Sequence, residues 1–345
     1  MTRVWRGAVV GFGAVARNGH LRAWIEAPDF ELVAVVDADA ERLALARADL
    51  PGVRTYRSLA ALWAEEEVDF IDVATPPTFH GSIAASALSR GVAVLCEKPL
   101  TTSLAEYRVL EGSSRQRGLA LHTVHNWHHA PAYRAVLGAL RRGCVGRVRH
   151  IAIRVERNGC AVGSLGNWRL LGEVAGGGIL VDHGWHAFYL AMGLSGEEPR
   201  SICAALERRR YSGAEVEDTA HCLVQLATAT VELELTWAAE RRRTEWYIAG
   251  ERGEIRLVDR ELTIDDGHSL VRQSIPSLSH GSHHPEWFTG VVAEFREALQ
   301  DPQKSNLREA GWCTALLHQA YRSAQMGEVT LPVHWPASEE QQRVS

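Results

Sequence analysis

The sequence predicts an α/β domain on a parallel sheet, followed by an α+β domain with a large, mostly antiparallel open sheet. Three observations carry this reading. The strand Gly7-Ala8-Val9-Val10 runs straight into the glycine turn Gly11-Phe12-Gly13-Ala14-Val15-Ala16, and a second apolar run, Leu32 to Val36, ends in Asp37. Strand and helix patterns alternate from there to about residue 124. From about residue 147 the texture changes, and apolar residues alternate one by one with polar neighbours, the period of a sheet with one packed face.

Taken in order, the second strand is followed by a helix rich in alanine, leucine and arginine (40–48), a short strand (53–56) and a helix near 59–66. Phe70-Ile71-Asp72-Val73-Ala74 is a strand of the kind buried on both faces, stopped by Thr75-Pro76-Pro77 because proline cannot continue a ladder. A helix over 80–90 leads to the strand Ala93–Cys96, which ends at Glu97-Lys98-Pro99; a helix over 103–117 and a strand over 120–124 complete the sheet. In the second half, Ile151, Ile153 and Val155 alternate with polar residues, as do Val231, Leu233, Leu235 and Trp237 with Glu232, Glu234 and Thr236. Further strands are expected near 201–206, 220–226, 244–249, 253–258 and 261–275, and a helical end over 288–326. The predicted domains are 1–124, 125–335 and a tail over 336–345, with the residues after Pro332 loose.

The 345 residues suit about two domains with a large core. Charged residues make up 23% and the net charge is −5, which points to neither nucleic acid nor a membrane surface as partner. No stretch has the length of a spanning helix, and Met1-Thr2-Arg3-Val4-Trp5 lacks the apolar region of a signal peptide. The six cysteines have no paired spacing and read as reduced thiols, so a cytoplasmic location is expected.

The opening strand, turn and acid-terminated second strand form the first βαβ unit of a dinucleotide-binding (Rossmann) fold. Gly11 permits the tight turn, Gly13 lets the backbone approach a pyrophosphate, and Ala16 keeps the helix close to the strand. The following helix start offers free N–H groups to phosphate. Asp37 is placed to accept both ribose hydroxyls of NAD and to repel the 2′-phosphate of NADP; Ala38 follows it, so no adjacent cation is expected.

Chemistry belongs at the strand ends of such a sheet. Lys98 ends one strand, where its ammonium would hold a substrate oxygen; a surface lysine in a turn is the competing reading. The second constellation is Gly176-Gly177-Gly178-Ile179-Leu180-Val181-Asp182-His183-Gly184-Trp185-His186. The glycines form a loop that admits a ligand closely, and Asp182 and His186 follow four apart on one helix face. A carboxylate there can orient an imidazole for acid–base catalysis, although an ordinary Asp–His pair on a solvated face has the same spacing.

The sequence as a whole resembles the glucose-fructose oxidoreductase, inositol dehydrogenase and rhizopine-catabolism (Gfo/Idh/MocA) family of NAD(P)-dependent dehydrogenases. The resemblance covers nearly the full chain. It rests on the glycine turn, Ala74-Thr75-Pro76-Pro77-Thr78-Phe79-His80, Cys96-Glu97-Lys98-Pro99-Leu100, Trp168-Arg169, the segment 176–186 and Ala320-Tyr321-Arg322-Ser323-Ala324. It implies Lys98, Asp182 and His186 as catalytic residues. It also implies that Thr75, Pro76, Pro77, His80, Glu97, Lys98 and Asn126 join Gly11–Ala16 and Asp37 around the dinucleotide, with Trp168 and Arg169 near the substrate end. The family fold pairs its open sheet faces, so a homodimer or homotetramer is expected, and strand 231–237 with Trp237 and its leucines is the proposed face.

This chain departs from the family after Asn126, where Trp127-His128-His129 replaces frequent arginines, and three residues after His186, where Tyr189 replaces a frequent aspartate. Trp127, Trp168 and Trp185 flank the proposed site, and an aromatic wall suits the C–H face of a sugar; Trp127, Trp168, Arg169, Lys98, Asp182 and His186 are the expected substrate contacts. The histidines at 122, 125, 128 and 129, and at 280, 283 and 284, have metal-like spacing, yet no cysteine or carboxylate pattern closes a four-ligand set, so no metal is expected. Arg208-Arg209-Arg210 and Arg241-Arg242-Arg243 read as solvated loop or strand ends. The resulting reading is an NAD-dependent dehydrogenase acting on a hydroxyl or keto carbon of a sugar, cyclitol or related polyol. An NAD-dependent glycoside hydrolase and a non-catalytic NAD-binding sensor are the alternatives.

Overall fold

Residues 3–160, 167–279, 281 and 283–335 of the chain are described by a computed structural model. They fall into two compact units, 3–126 with 283–310, and 127–281 with 311–335. The sequence places residues 283–310 in the second domain; in the structure they pack with the first unit.

The first unit holds β1 (Trp5–Val10), β2 (Phe30–Val36), β3 (Arg54–Tyr56), β4 (Phe70–Val73), β5 (Ala93–Cys96) and β6 (Leu121–Thr123). They form one parallel sheet in the order β3-β2-β1-β4-β5-β6. Helices α1 (Leu21–Glu26), α2 (Ala40–Asp49), α3 (Leu59–Glu65), α4 (His80–Ser89) and α5 (Leu104–Arg117) connect the strands. Side chains of Asp39, Ser58 and Ser103 cap α2, α3 and α5, accepting backbone N–H bonds that a helix start leaves open. The chain order reverses at β1, where β2 and β4 leave on opposite sides, and ligand crevices of doubly wound sheets lie at the carboxyl ends beside that point. Trp24, Phe30, Phe70, Phe288 and Phe295 pack as one aromatic core, which binds the later helix (Pro285–Gln300) to this unit.

In the second unit α6 (Pro131–Arg141) precedes β7 (Val148–Asn158); α7 (Gly172–Ala175) and α8 (Trp185–Ser195) follow it. Then come β8 (Pro199–Glu207), β9 (Thr219–Leu226), β10 (Thr230–Thr236), β11 (Ala238–Gly250), β12 (Glu254–Val258), β13 (Glu261–Asp265) and β14 (Leu270–Ser274). Helices α9 (Pro285–Gln300) and α10 (Leu307–Gln325) and the short β15 (Leu331–Pro332) end the described chain. The nine strands run β14-β13-β12-β11-β7-β10-β9-β8-β15, antiparallel except for the β7–β10 pair.

Period-two alternation decides the faces of this sheet. Val231, Leu233 and Leu235 sit beside Ile151, Ile153 and Val155, and all six are buried. On the opposite face Arg154 pairs with Glu234. Trp237 is also buried. The apolar residues that the sequence offers as an oligomer face are therefore the unit's own core, and the outward face is charged. Three element readings change as well. The stretch 261–275 is a hairpin, turned where the Asp266 side chain accepts the His268 and Ser269 N–H groups. The helical end over 288–326 is two helices, parted at Asp301-Pro302. Residues 333–335 are tied down, since Val333 N–H donates to the Arg200 carbonyl and Trp335 packs edge-on against Trp312. The tail over 336–345 and His280 lie outside the described residues.

Candidate functional site

The glycine turn leaves β1 at Gly11, where a φ of +90° and the Ala74 carbonyl oxygen, which an added Cβ would meet at 2.8 Å, exclude a side chain. Asp37 stands at the end of β2 and is held from both sides: one oxygen accepts the Phe12 N–H at 2.8 Å, the other the Asp39 N–H at 2.9 Å. The carboxylate is thus fixed over the turn, while Gly13 is half-buried and Ala14 exposed, leaving backbone open to a ligand. These residues fit a dinucleotide. Two local features differ from the sequence reading. Ala16–His20 is a π-helical segment rather than the first turn of an α-helix, and Val15 precedes it. A cation does stand beside Asp37: the Arg42 guanidinium, one turn into α2, lies 3.5 Å from it.

The ends of β4 and β5 are clamped together. Thr75 and Pro76 lead into the short helix Pro77–Phe79, and the buried His80 ring has the Thr75 carbonyl 2.8 Å from one nitrogen and the Pro99 carbonyl 2.7 Å from the other. Burial pushes the His80 imidazole below its ordinary value, against the pull of those carbonyls. Both ring nitrogens of His80 are therefore turned to protein. Glu97 is held equally firmly, accepting from His20 Nε2 at 3.0 Å and from the Lys98 N–H at 3.0 Å. His20 Nδ1 lies 2.9 Å from Asp72, which also accepts the Trp24 indole N–H at 2.8 Å, and Phe288 stacks on the imidazole at 3.8 Å. Burial pushes His20 down, but the Asp72 charge and the Asp72 and Glu97 hydrogen bonds outweigh it and raise the imidazole to about 9. The same imidazolium holds Glu97 below the usual carboxylate range despite burial. Lys98, half-buried and joined to Pro99 by a cis peptide, follows directly on this braced carboxylate.

In the second unit the segment 176–186 is built around Glu217. Its buried carboxylate accepts the Gly178 and Leu180 N–H groups and the Tyr321 hydroxyl at 2.9 Å. Burial pushes Glu217 up, against these hydrogen bonds. A methyl group on Gly178 would lie 1.7 Å from the Glu217 carbonyl oxygen, and one on Gly177 2.0 Å from the Tyr321 hydroxyl. The close approach that the glycines permit is thus that of the protein itself, not of a ligand.

Leu180–Gly184 is a second π-helical segment, and α8 begins only at Trp185. A shared face at spacing four does not carry across a π turn, whose bonds span five residues. Asp182 lies 3.7 Å from His183, whereas His186 Nδ1 lies 2.8 Å from the Tyr189 hydroxyl. The Trp127 backbone N–H donates to the same hydroxyl at 3.2 Å, and the Trp127 indole stacks on the imidazole with centroids 4.8 Å apart. His186, Tyr189 and Trp127 are all buried. One indole face of Trp127 is thereby committed to His186, and Trp185 is wholly buried core rather than a wall of the site. Trp168 and Arg169 form a half-buried cation–π pair at 4.3 Å, and Asn126 is half-buried at the start of the short helix Asn126–His129.

Several contributors escape sequence reading. Arg42 sits at an ordinary helical position, nothing in the sequence marks His20 as ending a π-helical segment, and Asp72 is an acid inside an apolar strand, the one local hint that it is paired. Tyr189 is marked only as a departure from an expected aspartate. Arg157, buried at the end of β7, donates to the Arg243 carbonyl and the Thr244 hydroxyl; burial lowers its guanidinium to about 10, while the charge of Asp182 acts in the opposite sense.

Comparison with known proteins places this geometry. Residues 5–125 match the model described as "Oxidoreductase family, NAD-binding Rossmann fold", and 133–256 match the "GFO/IDH/MocA C-terminal domain". The chain belongs to the Gfo/Idh/MocA family. It is 36% identical over 79% of its length to a protein of Amycolatopsis mediterranei assigned as the oxidoreductase subunit of a UDP-kanosamine synthase, of which 79% is covered. It is 29% identical over 92% of its length to dTDP-3,4-didehydro-2,6-dideoxy-alpha-D-glucose 3-reductase of Streptomyces violaceoruber, of which 93% is covered. Among solved structures, GenD2 from gentamicin A biosynthesis, in complex with NAD, superposes with a TM-score of 0.81 at 26% identity over 97% of each chain. This Gfo/Idh/MocA member is thus an oxidoreductase-family protein whose first unit is an NAD-binding Rossmann fold and whose second carries the family's mostly antiparallel sheet. Among the described residues, no helix is long and apolar enough to cross a membrane.

Proposed function

We propose that the protein is an NAD-dependent dehydrogenase or reductase acting on a hydroxyl or keto carbon of a sugar, cyclitol or related polyol. NAD, when bound, supplies the hydride acceptor or donor. Gly11, Phe12, Gly13, Ala14, Val15, Ala16 and Asp37, with Thr75, Pro76, Pro77, His80, Glu97, Lys98 and Asn126, are the residues assigned to hold it. His80 acts by clamping the β4 and β5 ends, as its two carbonyl contacts indicate.

In the oxidising direction His186 takes the hydroxyl proton, and Lys98 stabilises the developing alkoxide, the moment at which a fixed charge has most effect. Asp182 joins the proton relay at this end, and Trp127, Trp168 and Arg169 contribute to the substrate contacts. The observation that carries the reading is His186 itself: a buried imidazole locked between an indole face and a phenol, with Nδ1 2.8 Å from the Tyr189 hydroxyl. The two relatives' names both describe nucleotide-linked sugars, which favours a sugar substrate.

A screen of NADH production over cyclitols, aldoses, amino sugars, uronic acids and nucleotide-linked sugars tests this. Glycoside cleavage without net NADH would replace it with the hydrolase reading, and NAD binding without any turnover would favour the sensor. We also propose assembly as a homodimer or homotetramer through the outward face of the nine-stranded sheet, where Arg154 and Glu234 offer charge pairs rather than apolar surface.

A further inference from the structure

We infer that Tyr189 is the positioning residue that orients His186 and governs where its proton resides. The inference rests on the assignment of His186 as the acid–base group and adds what controls it.

The chemistry follows from the contacts. A phenol oxygen carries one proton and two lone pairs, whereas an ionised carboxylate only accepts. The Tyr189 oxygen accepts the Trp127 N–H at 3.2 Å and lies 2.8 Å from His186 Nδ1. Tyr189 can therefore accept Nδ1–H, which leaves Nε2 as a base, or donate to a bare Nδ1, which leaves Nε2 carrying a proton. When Nε2 takes up a proton, Nδ1–H stays on the ring and Tyr189 still accepts it, so the 2.8 Å contact holds one ring orientation in the neutral Nδ1–H form and in the imidazolium. An aspartate in its place would accept only, would fix Nδ1–H, and would add a buried negative charge that favours imidazolium. Tyr189 orients without that charge.

Tyr189 is itself completely buried on α8, with His128 packed edge-on against its ring at 4.7 Å. Titratable or charged groups around this pair include His183, 6.3 Å from His186 and itself beside Asp182, and Tyr133 of α6 stacked on His128, with Arg157 of β7 acting on Asp182 through its charge. None of them belongs to the residue being exchanged, so a Tyr189 series changes one partner at a time.

The test is a nitrogen-15 NMR titration of histidine-labelled, NAD-loaded full-length protein, with the His186 signals assigned from His186→Gln. Tyr189→Phe removes the acceptor and should lower the His186 pKa by roughly half a unit to one unit and mix its tautomers. Tyr189→Asp should raise that pKa by about one to three units. The order Phe below Tyr below Asp supports the inference; equal pKa values and an unchanged tautomer in Tyr189→Phe overturn it. Should the buried aspartate prevent folding, Tyr189→Phe, which keeps the ring's volume, decides alone. This readout needs no substrate. If the order holds while His186→Ala retains turnover, the hydride reading fails and the coupling stands; if His186→Ala abolishes turnover while the Tyr189 series is flat, only this inference falls.

Discussion

Replacing Arg42 by alanine should separate the two nicotinamide cofactors. Asp37 alone would repel a 2′-phosphate, but it stands 3.5 Å from the Arg42 guanidinium, so the pair presents little net charge to that position. Two unit charges about 5 Å apart interact by roughly 1–3 kcal/mol between bulk water and a protein surface. With 27% of its side chain exposed, Arg42 belongs nearer the lower figure. Arg42→Ala should therefore weaken NADP binding about tenfold, since a kcal/mol and a half is close to a factor of ten. NAD carries no 2′-phosphate, and its affinity should change less than about twofold. Asp37→Asn should move the balance the other way, easing NADP repulsion and weakening the ribose contacts of NAD. Native protein should still prefer NAD, by a smaller margin than an unpaired Asp37 would give. Isothermal titration of both cofactors against the native and variant chains checks this. Equal losses for NAD and NADP in Arg42→Ala, or none for either, would refute the charge argument, and native protein favouring NADP would refute the role of Asp37.

The buried His20–Asp72–Glu97 network predicts a loss of stability in alkali. The His20 pKa is raised from 6.5 to about 9 in the folded chain, so its stabilisation is complete below pH 6.5 and is lost as pH rises towards 9. The loss is on the order of a few kcal/mol. Thermal melts from pH 6 to 9.5 should show it, and His20→Gln should flatten the profile; a native profile as flat as the variant's would contradict the network. Oligomerisation through the charged sheet face should be salt-sensitive, so Arg154→Glu should shift light scattering from a multiple of 38.0 kDa towards the monomer. A native chain that scatters as a monomer at micromolar concentration would exclude the assembly.

Period and punctuation made the architecture legible. Apolar strands ending in Gly11, Asp37, Thr75 and Lys98 define the parallel sheet and its carboxyl edge, because a doubly wound sheet buries both faces and gathers its loops at one end. One-by-one alternation located most strands of the second sheet, yet it does not say which face is covered. Leu233 and Trp237 proved to be inward, and Glu234 outward. The site was legible as residues but not as contacts. Spacing four between Asp182 and His186 assumes an α-helix, whereas Leu180–Gly184 is a π turn. The glycines at 177 and 178 announce a close approach without naming Glu217 and Tyr321, which lie about 40 and 140 residues further along. Tyr189 and Arg42 have meaning only through what the fold brings beside them.

The central claim is that Lys98 and His186 perform proton and charge handling during hydride transfer on a hydroxyl carbon. Its most direct test is steady-state turnover of His186→Ala and Lys98→Ala on the best substrate of the NADH screen, paired with NAD titration of each variant. Loss of acid–base catalysis should lower kcat of His186→Ala by roughly 10² to 10⁴. Lys98→Ala should be as severe or worse, while both variants still bind NAD, because neither residue holds the adenosine half. Near-normal turnover in both variants, with intact NAD binding, would contradict the account.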